Sequence, residues 1–362
     1  MKEIAINGRF TSQGVTGVQR YARELLRELD CLLASLPIDA DPVEVLVPRN
    51  AGVYPSYKSL RIKKVGRLTG QAWEQIELPL HCRGKLLFTP CGGAPILHDC
   101  NVVTIHDAAV FATPEAYSRA YASWYRWLFS RLGRTARRIL TVSEFSKSEL
   151  IRWFGIEPSK IVVTHLGSDH LSRLKPDRSI QGMHGLKSYS YVLAVSSRNP
   201  NKNFQGIIRA IDLAGKNLPF PIVIAGSINN KVFSGSEALP GCVIQVGKVS
   251  DQQLRALYED AGCFVFPSFY EGFGLPALEA MACDCPVICA DINVLRETCR
   301  EAALFCDPAD PLSIGQRIAS TMNDVDLRQT LIERGRTNAQ GFQWADTARR
   351  TWETLQEAAA LA

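Results

Sequence analysis

Short apolar runs alternate with helix-length segments, and the alternation recurs twice along this chain, which leaves few folds open. In the first half the runs predict strands at 3–7, 43–47, 86–89, 102–106, 139–143 and 161–164. In the second half they predict strands at 191–196, 222–225, 243–246, 263–267 and 287–290. Runs of this length spaced by helices indicate βαβ units and parallel sheets. For 362 residues, domain-size statistics of about 100–200 residues each favour two domains. The expected fold is therefore α/β, with two Rossmann-like doubly wound domains facing a cleft, because ligands bind at the carboxyl ends of such strands. The stretch 172–189, SRLKPDRSIQGMHGLKSY, is polar and aperiodic and reads as the linker. The domains are placed at 1–175 and 188–341, with a terminal helix at 342–362 returning to the first.

Composition removes several function classes. No run of eighteen apolar residues exists, so no spanning helix is expected. The N-terminal MKEIAING reads as a strand and not as a signal peptide. Eleven cysteines lie scattered through apolar segments, as buried thiols of a reducing cytoplasm would. Cys283, Cys285 and Cys289 lack paired zinc-ligand spacing and read as core thiols. Residues 1–180 carry 25 Lys and Arg against 17 Asp and Glu, and the rest 16 against 19. A basic first half suits an anionic partner: phosphate, a lipid surface or nucleic acid.

The segment SFYEGFGLPALEAM, 268–281, places a glycine-rich loop between Glu271 and Glu279. It follows the strand at 263–267 and precedes a helix, so it is a strand-to-helix turn. Its glycines, Gly272 and Gly274, let backbone approach a ligand and take positive φ. The N–H groups at the helix start suit phosphate or sugar oxygens. A carboxylate beside a phosphate site is repulsive, so Glu271 and Glu279 read as hydroxyl acceptors. Lys202 follows the turn Asn199-Pro200-Asn201 and precedes an apolar helix, where a fixed ammonium can meet an anionic group. In the first half, His106-Asp107 ends a strand, and NGRFTSQGVTGVQRYARELL is a glycine-punctuated loop opening a helix. Gly14 and Gly17 there bring amides toward the expected cleft, and the loop is not the G-x-G-x-x-G of a dehydrogenase.

PSFYEGFGLPALEAMACDCPVI resembles the donor-site signature of family 4 glycosyltransferases, retaining enzymes of GT-B fold, with its Glu, seven residues, Glu spacing. VLAVSSRNPNKNFQGIIRA, GKVSDQQLRALYEDA, VVTIHDAAVF, ILTVSEFSKSEL and GFQWADTARRTWETL are similar to further family segments, so the resemblance covers most of the chain. It implies catalytic roles for His106, Lys202 and Glu271. It implies donor contacts from Ser197, Arg198, Lys202, Lys248, Val249, Glu271, Gly272, Phe273, Gly274, Leu275 and Glu279, with Glu271 on the transferred sugar and Glu279 on the ribose. Acceptor contacts are implied for Thr16, Gly17 and Asp107. Relatives place an arginine five positions before the lysine, where this chain has Ser197; Arg198 is four before. A second departure is Asp284-Cys285, where relatives commonly carry Gly-Thr.

The favoured chemistry in the family is front-face displacement, the departing phosphate helping to deprotonate the acceptor, so Glu271 is not read as a nucleophile. No cofactor and no metal are expected. Asp39-Ala40-Asp41 and Asp324-Val325-Asp326 are D-x-D triplets but read as solvated acids. The resemblance is greatest to bacterial polysaccharide-assembly members, many of them mannosyltransferases. It implies a hexose, mannose from GDP-mannose first, moved to a glycan acceptor that a polyprenyl diphosphate could carry. A GT-B nucleotide-sugar epimerase is the alternative, and a nucleic-acid-binding protein a more distant one.

Finally, YSRAYASWYRWLFSRLGRTARR, 117–138, reads as a helix with Tyr117, Tyr121, Trp124, Leu128 and Leu132 on one face. Arg119, Arg126, Arg134 and Arg137 gather opposite. Trp127 beside Arg131 and Arg138 suits a membrane interface, so a cytoplasmic enzyme, peripheral on the inner membrane face, is expected.

Overall fold

The computed structural model describes residues 2–36, 43–196, 199–213, 220–226 and 241–361. The chain divides into two compact units, one of Met1–Gly167 with Trp344–Ala362 and one of Ser168–Gln343. The first unit holds the strands β1 (Ile4–Asn7), β2 (Val43–Val47), β3 (Leu60–Lys64), β4 (Leu86–Thr89), β5 (Asn101–Thr104), β6 (Arg138–Thr141) and β7 (Ile161–Val163). They form one sheet in the order β3-β2-β1-β4-β5-β6-β7. The second unit holds β8 (Val192–Ser196), β9 (Ile222–Gly226), β10 (Val243–Gly247), β11 (Cys263–Phe266), β12 (Val287–Ala290) and β13 (Ala303–Cys306). Their order is β10-β9-β8-β11-β12-β13. All the described pairings in both sheets are parallel.

Central strands of such sheets are covered on both faces. LLFT of β4, NVVT of β5, CFVF of β11 and VICA of β12 are accordingly buried at every position. The eleven expected strands are present, with ends shifted by a residue or two. Two more were not anticipated. LRIKK of β3 is an edge strand whose Arg61, Lys63 and Lys64 face solvent, the charged pattern that keeps edges from pairing further. ALFC of β13 is the other sheet's edge.

The passage between units falls at Gly167–Ser168, ahead of the stretch expected to be a linker. Residues 172–189 instead belong to the second unit and contain a helix, Ser179–His184, ended by left-handed Gly185. Their polar side chains are consumed in contacts. Arg178 reaches Glu259 at 2.6 Å and Asp260 at 3.2 Å, and Gln181 donates to Asp260 at 3.0 Å. The Trp344–Ala360 helix packs in the first unit against the Gly17–Ala34 helix. Trp344 is buried with its ring 6.2 Å from that of Tyr21.

The Arg119–Thr135 helix departs from its expected two-faced pattern. Leu128 and Leu132 enter the core with Phe129, yet Tyr121 on the same stripe is 45% exposed. Arg126, expected in water, is half-buried: its guanidinium lies 4.5 Å from the Phe111 ring centre and Nε donates to the Val110 carbonyl at 2.9 Å. Arg138 lies beyond the helix and opens β6. All eleven thiols are free; Cys283, Cys285 and Cys289 are buried, whereas Cys31 is exposed. Among the described residues no helix is long and apolar enough to cross a membrane.

One carboxylate pins the unanticipated edge. Asp30, buried on the Gly17–Ala34 helix, accepts backbone N–H bonds from Lys58, Ser59 and Leu60 at 2.9, 2.7 and 2.9 Å. Removing an acceptor that serves three amides strands them at the start of β3. Asp30→Ala is expected to cost about 2 kcal/mol or more of stability. Urea unfolding checks this, and an unchanged midpoint would show that the amides find other partners.

Candidate functional site

In the second unit the strand order reverses between β8 and β11, and ligands bind where two loops diverge at such a switch point. The loop after β8 carries Lys202 and the loop after β11 carries Glu271. Three asparagines set the first loop. Asn199 Oδ1 accepts from the Asn201 amide at 3.0 Å, fixing the Pro200–Lys202 turn. Asn203 takes a left-handed φ of 53°, which asparagine tolerates better than most residues. Its amide donates to the Pro267 and Pro308 carbonyls at 3.0 and 2.6 Å, and its oxygen accepts from Gly206 N at 3.1 Å. The Phe269 amide donates to the Asn201 carbonyl at 2.8 Å, so the two loops are laced together.

On this frame Lys202 Nζ sits 2.5 Å from Glu271 Oε1 and 4.9 Å from the Phe266 ring centre. Their side chains are 20% and 12% exposed. The pair is largely desolvated but open along one edge, so each group retains some capacity for an incoming oxygen or hydroxyl. Gly274 closes the loop with φ 93°, and a Cβ there would stand 2.4 Å from Leu295 Cδ2. Only glycine meets both demands. Phe273 and Leu275 turn inward, so it is backbone that this loop can offer; the Phe273 carbonyl accepts from Thr298 Oγ1 at 3.1 Å. Gly272 remains partly exposed.

Glu279 is placed differently from Glu271. It is 4% exposed, with His170 Nε2 3.0 Å from Oε1 and the Tyr258 hydroxyl donating to Oε2 at 3.4 Å. A ribose contact would have to share or exchange these partners. No pattern in the sequence pointed to His170 or Tyr258. Lys248 and Val249 follow β10, two strands from the switch point, Lys248 exposed and Val249 partly buried. Ser197 and Arg198 lie outside the described residues. The Asp284 departure is accommodated by the backbone: Asp284 takes φ 58°, the conformation a glycine would supply. Its carboxylate meets Arg336 at 2.9 and 3.0 Å. Asp324 caps the Val325–Gln340 helix through the Leu327 amide at 2.9 Å; Asp39 and Asp41 lie outside the described residues.

In the first unit the reversal falls between β1 and β4. Thr16 and Gly17 stand where the loop after β1 becomes helix, Thr16 as the cap whose N–H donates to Gln19 Oε1 at 3.2 Å. His106 follows β5, and its Nε2 donates to the Pro90 carbonyl at 3.0 Å, which leaves Nδ1 as the acceptor nitrogen. The Tyr21 ring meets His106 edge-on at 4.7 Å. Burial pushes the His106 imidazole down to about 4, against the Pro90 bond, which favours the charged form. Asp107 Oδ1 accepts from Ala109 N at 2.9 Å, just ahead of the short Ala109–Ala112 helix.

The first switch point also contains a group that sequence reasoning missed. Arg9, after β1, places Nε 3.0 Å from Glu74 Oε1, both buried. Asn7 donates to the same oxygen at 2.7 Å. Gln71, oriented to satisfy its neighbours, donates to Glu74 Oε2 and accepts from Arg9, each at 3.1 Å. A Cβ on Gly93 would stand 2.7 Å from Glu74. Burial raises the Glu74 carboxyl, opposed by the Arg9 charge and the Asn7 bond. Glu74 lies in a π-helical turn, Trp73–Glu77, a local form often found at functional sites. Arg9 could have been noticed for following β1 directly, but nothing local marks Glu74.

Comparison with known proteins bears on the family and the fold. Residues 180–338 match the model of glycosyl transferases group 1, and residues 41–170 that of Glycosyltransferase Family 4. The chain is 32% identical to O-antigen chain mannosyltransferase B of Escherichia coli over 262 residues, covering 69% of this chain and 68% of that protein. It is 28% identical to O-antigen chain mannosyltransferase RfbU of Salmonella typhimurium, covering 63% of this chain and 62% of the relative. Its fold matches that of sucrose-phosphate synthase from Thermosynechococcus elongatus over 100% of both chains, with TM-score 0.77 and 18% identity.

The depressed His106 has a definite consequence for acid stability. The unfolded imidazole takes up a proton near pH 6.5, whereas the folded one stays neutral to about pH 4. Below pH 6.5 the unfolded state therefore binds more protons, and stability falls as pH drops from about 6.5 toward 4. His106→Gln, which keeps a donor for Pro90, is expected to flatten that part of the curve in urea titrations at stepped pH. An identical slope in the variant would remove His106 as its source.

Proposed function

This chain belongs to the family 4 glycosyltransferases of GT-B fold, and from that premise we propose that it moves a hexose from a nucleotide diphosphate sugar to a growing glycan. Mannose from GDP-mannose is the favoured donor, and bacterial polysaccharide assembly the setting, because the relatives reported above are O-antigen mannosyltransferases. The observation that carries the proposal is the Lys202–Glu271 pair at the β8/β11 switch point. In this reading the ammonium neutralises charge growing on the leaving diphosphate, the largest kind of contribution in such transfers. Glu271 accepts hydroxyl hydrogen bonds from the transferred sugar. The Gly272–Leu275 backbone approaches the donor, and Glu279 serves the ribose by exchanging one of its present partners.

His106 presents Nδ1, an uncharged acceptor at neutral pH, to a sugar hydroxyl, while Thr16, Gly17 and Asp107 line the acceptor's path. Lys248 and Val249, with Ser197 and Arg198, complete the donor contacts. Neither metal nor cofactor takes part: the front-face route uses the departing phosphate to receive the acceptor's proton. Trp127 is 51% exposed, one turn before exposed Arg131, and supports peripheral docking on the inner leaflet, where a polyprenyl-diphosphate-linked acceptor would be presented.

Transfer of radiolabelled mannose from GDP-mannose to a mannosyl oligosaccharide tests the proposal. Lys202→Ala and Glu271→Ala are each expected to lower turnover by more than about a hundredfold, the scale for losing one stabilising group. The wild-type rate should persist in EDTA. Label recovered only as an isomerised nucleotide sugar would support an epimerase, and a tenth of the wild-type rate in either variant would remove that residue's assigned role. For docking, wild type should sediment with anionic vesicles at low salt, and Trp127→Ala/Arg131→Ala should remain in the supernatant; equal partition would end the membrane reading.

A further inference from the structure

On the first unit, three tyrosines form a ladder. The rings of Tyr117 and Tyr121 stack at 5.3 Å with only 6° between their planes, and Tyr121 meets Tyr125 at 4.4 Å and 36°. Tyr121 and Tyr125, four apart on the Arg119–Thr135 helix, lie one above the other, whereas Tyr117 reaches the stack from extended backbone just ahead of the helix. Nothing in this arrangement requires Tyr121 to stay uncovered. The stripe they begin sinks into the core at Leu128 and Leu132, yet its tyrosine end stays open to solvent at Tyr121. Helix packing alone gives no reason for this.

The ladder leads somewhere. The Tyr125 hydroxyl lies 3.4 Å from the Gln71 amide, which in turn holds both Arg9 and Glu74 at the β1/β4 switch point. A line of polar contacts thus runs from an exposed aromatic surface to the crevice of the same unit. Burial, then Tyr125 and Tyr117, and more weakly the Asp107 carboxylate, all push the Tyr121 hydroxyl above its usual range. Like any phenol at neutral pH it is an O–H that can both donate and accept.

We infer that the Tyr117–Tyr121–Tyr125 ladder is a carbohydrate subsite holding a sugar unit of the acceptor glycan beyond the one that reacts. The inference rests on the glycosyltransferase reading for the identity of the acceptor. A pyranose ring presents C–H bonds on its flat faces and hydroxyls around its rim. The part of Tyr121 left uncovered by its two neighbours, 45% of the residue, can meet the first, and phenolic hydroxyls with the nearby Asp107 suit the second. Tyrosine supplies this amphipathic area at small entropic cost, having few rotatable bonds. A bilayer is a poorer match: Asp107 would repel anionic lipid, and phenolic hydroxyls find hydrogen-bond partners around a sugar rim that acyl chains do not offer. The membrane-suited pair, Trp127 and Arg131, lies further along the helix.

The test compares α-linked mannotriose with methyl α-mannoside on wild type, Tyr121→Ala and Tyr121→Phe, by ligand-observed NMR and by transfer kinetics. Tyr121 is exposed, so both variants should fold, and an unchanged thermal shift with GDP confirms it. Tyr121→Ala is expected to weaken mannotriose binding and raise its KM about tenfold, the scale for truncating an exposed aromatic anchor. The KM for methyl α-mannoside should stay unchanged, and Tyr121→Phe, which keeps the ring, should stay within about twofold of wild type. Unaltered mannotriose binding in Tyr121→Ala, or equal losses for both sugars, overturns the subsite. So does a wild type that transfers mannose but never binds mannotriose at the ladder, or a variant whose sole loss is vesicle sedimentation. A wild type that binds mannotriose through Tyr121 but transfers nothing leaves the subsite standing and overturns the proposed activity.

Discussion

Where strand order reverses in a parallel sheet, two loops leave in opposite directions and open a crevice that backbone alone does not fill. Each unit of this chain meets that constraint with an ion pair. Arg9 and Glu74 fill the first crevice, Lys202 and Glu271 the second. The two solutions differ in how far they are closed. Glu74 is fully enclosed and bound by Asn7 and Gln71 as well as Arg9, so breaking the set would leave a buried charge without compensation, an expensive state. Glu271 keeps a solvent edge, and its lysine partner rests on the Phe266 ring. The first arrangement suits a scaffold and the second suits exchange with a ligand.

Around the second crevice, rigidity comes from residues with no chemistry of their own. Asn203 bonds across to Pro267 and Pro308, and Gly274 accepts a backbone conformation and a closeness to Leu295 that no other residue could meet. These two positions fix how far apart the lysine and the glutamate can be. Asp284 shows the same economy: it holds a left-handed turn and recovers part of the strain through its bidentate contact with Arg336.

The doubly wound architecture was legible because parallel strands buried on both faces must be short and apolar, and eleven such runs stood out. β3 escaped because an edge strand carries the charges that discourage pairing, which erases its apolar signature. β13, ALFC, is as long as β4 and β12, but it follows a helix directly and opens on the helix-favouring run Glu301-Ala302-Ala303, so it reads as more of that helix. Within the site, Lys202 and Glu271 could be read because turn chemistry and glycine spacing are local. The Arg9–Glu74 group, and the His170 and Tyr258 contacts of Glu279, could not be. Their partners lie 65, 109 and 21 positions apart in the sequence, and only the fold brings them together. Tyr121 was visible on a helical face, but Tyr125 was not placed there and Tyr117, expected on the helix, stands ahead of it; periodicity says which residues share a face and not whether anything covers it.

The chain leaves the first unit at Gly167 and re-enters it at Trp344, so the second unit is inserted into the first. Because domains tend to fold as their residues emerge from the ribosome, the inserted unit has its whole sequence available once residue 343 has cleared the exit tunnel. The first unit does not. Its sheet has been made long before, but the helix that covers Tyr21 and bonds His165 through Thr347 at 2.6 Å comes last. The half synthesised first is therefore the half completed last, and until then its uncovered flank is the surface most in need of a chaperone.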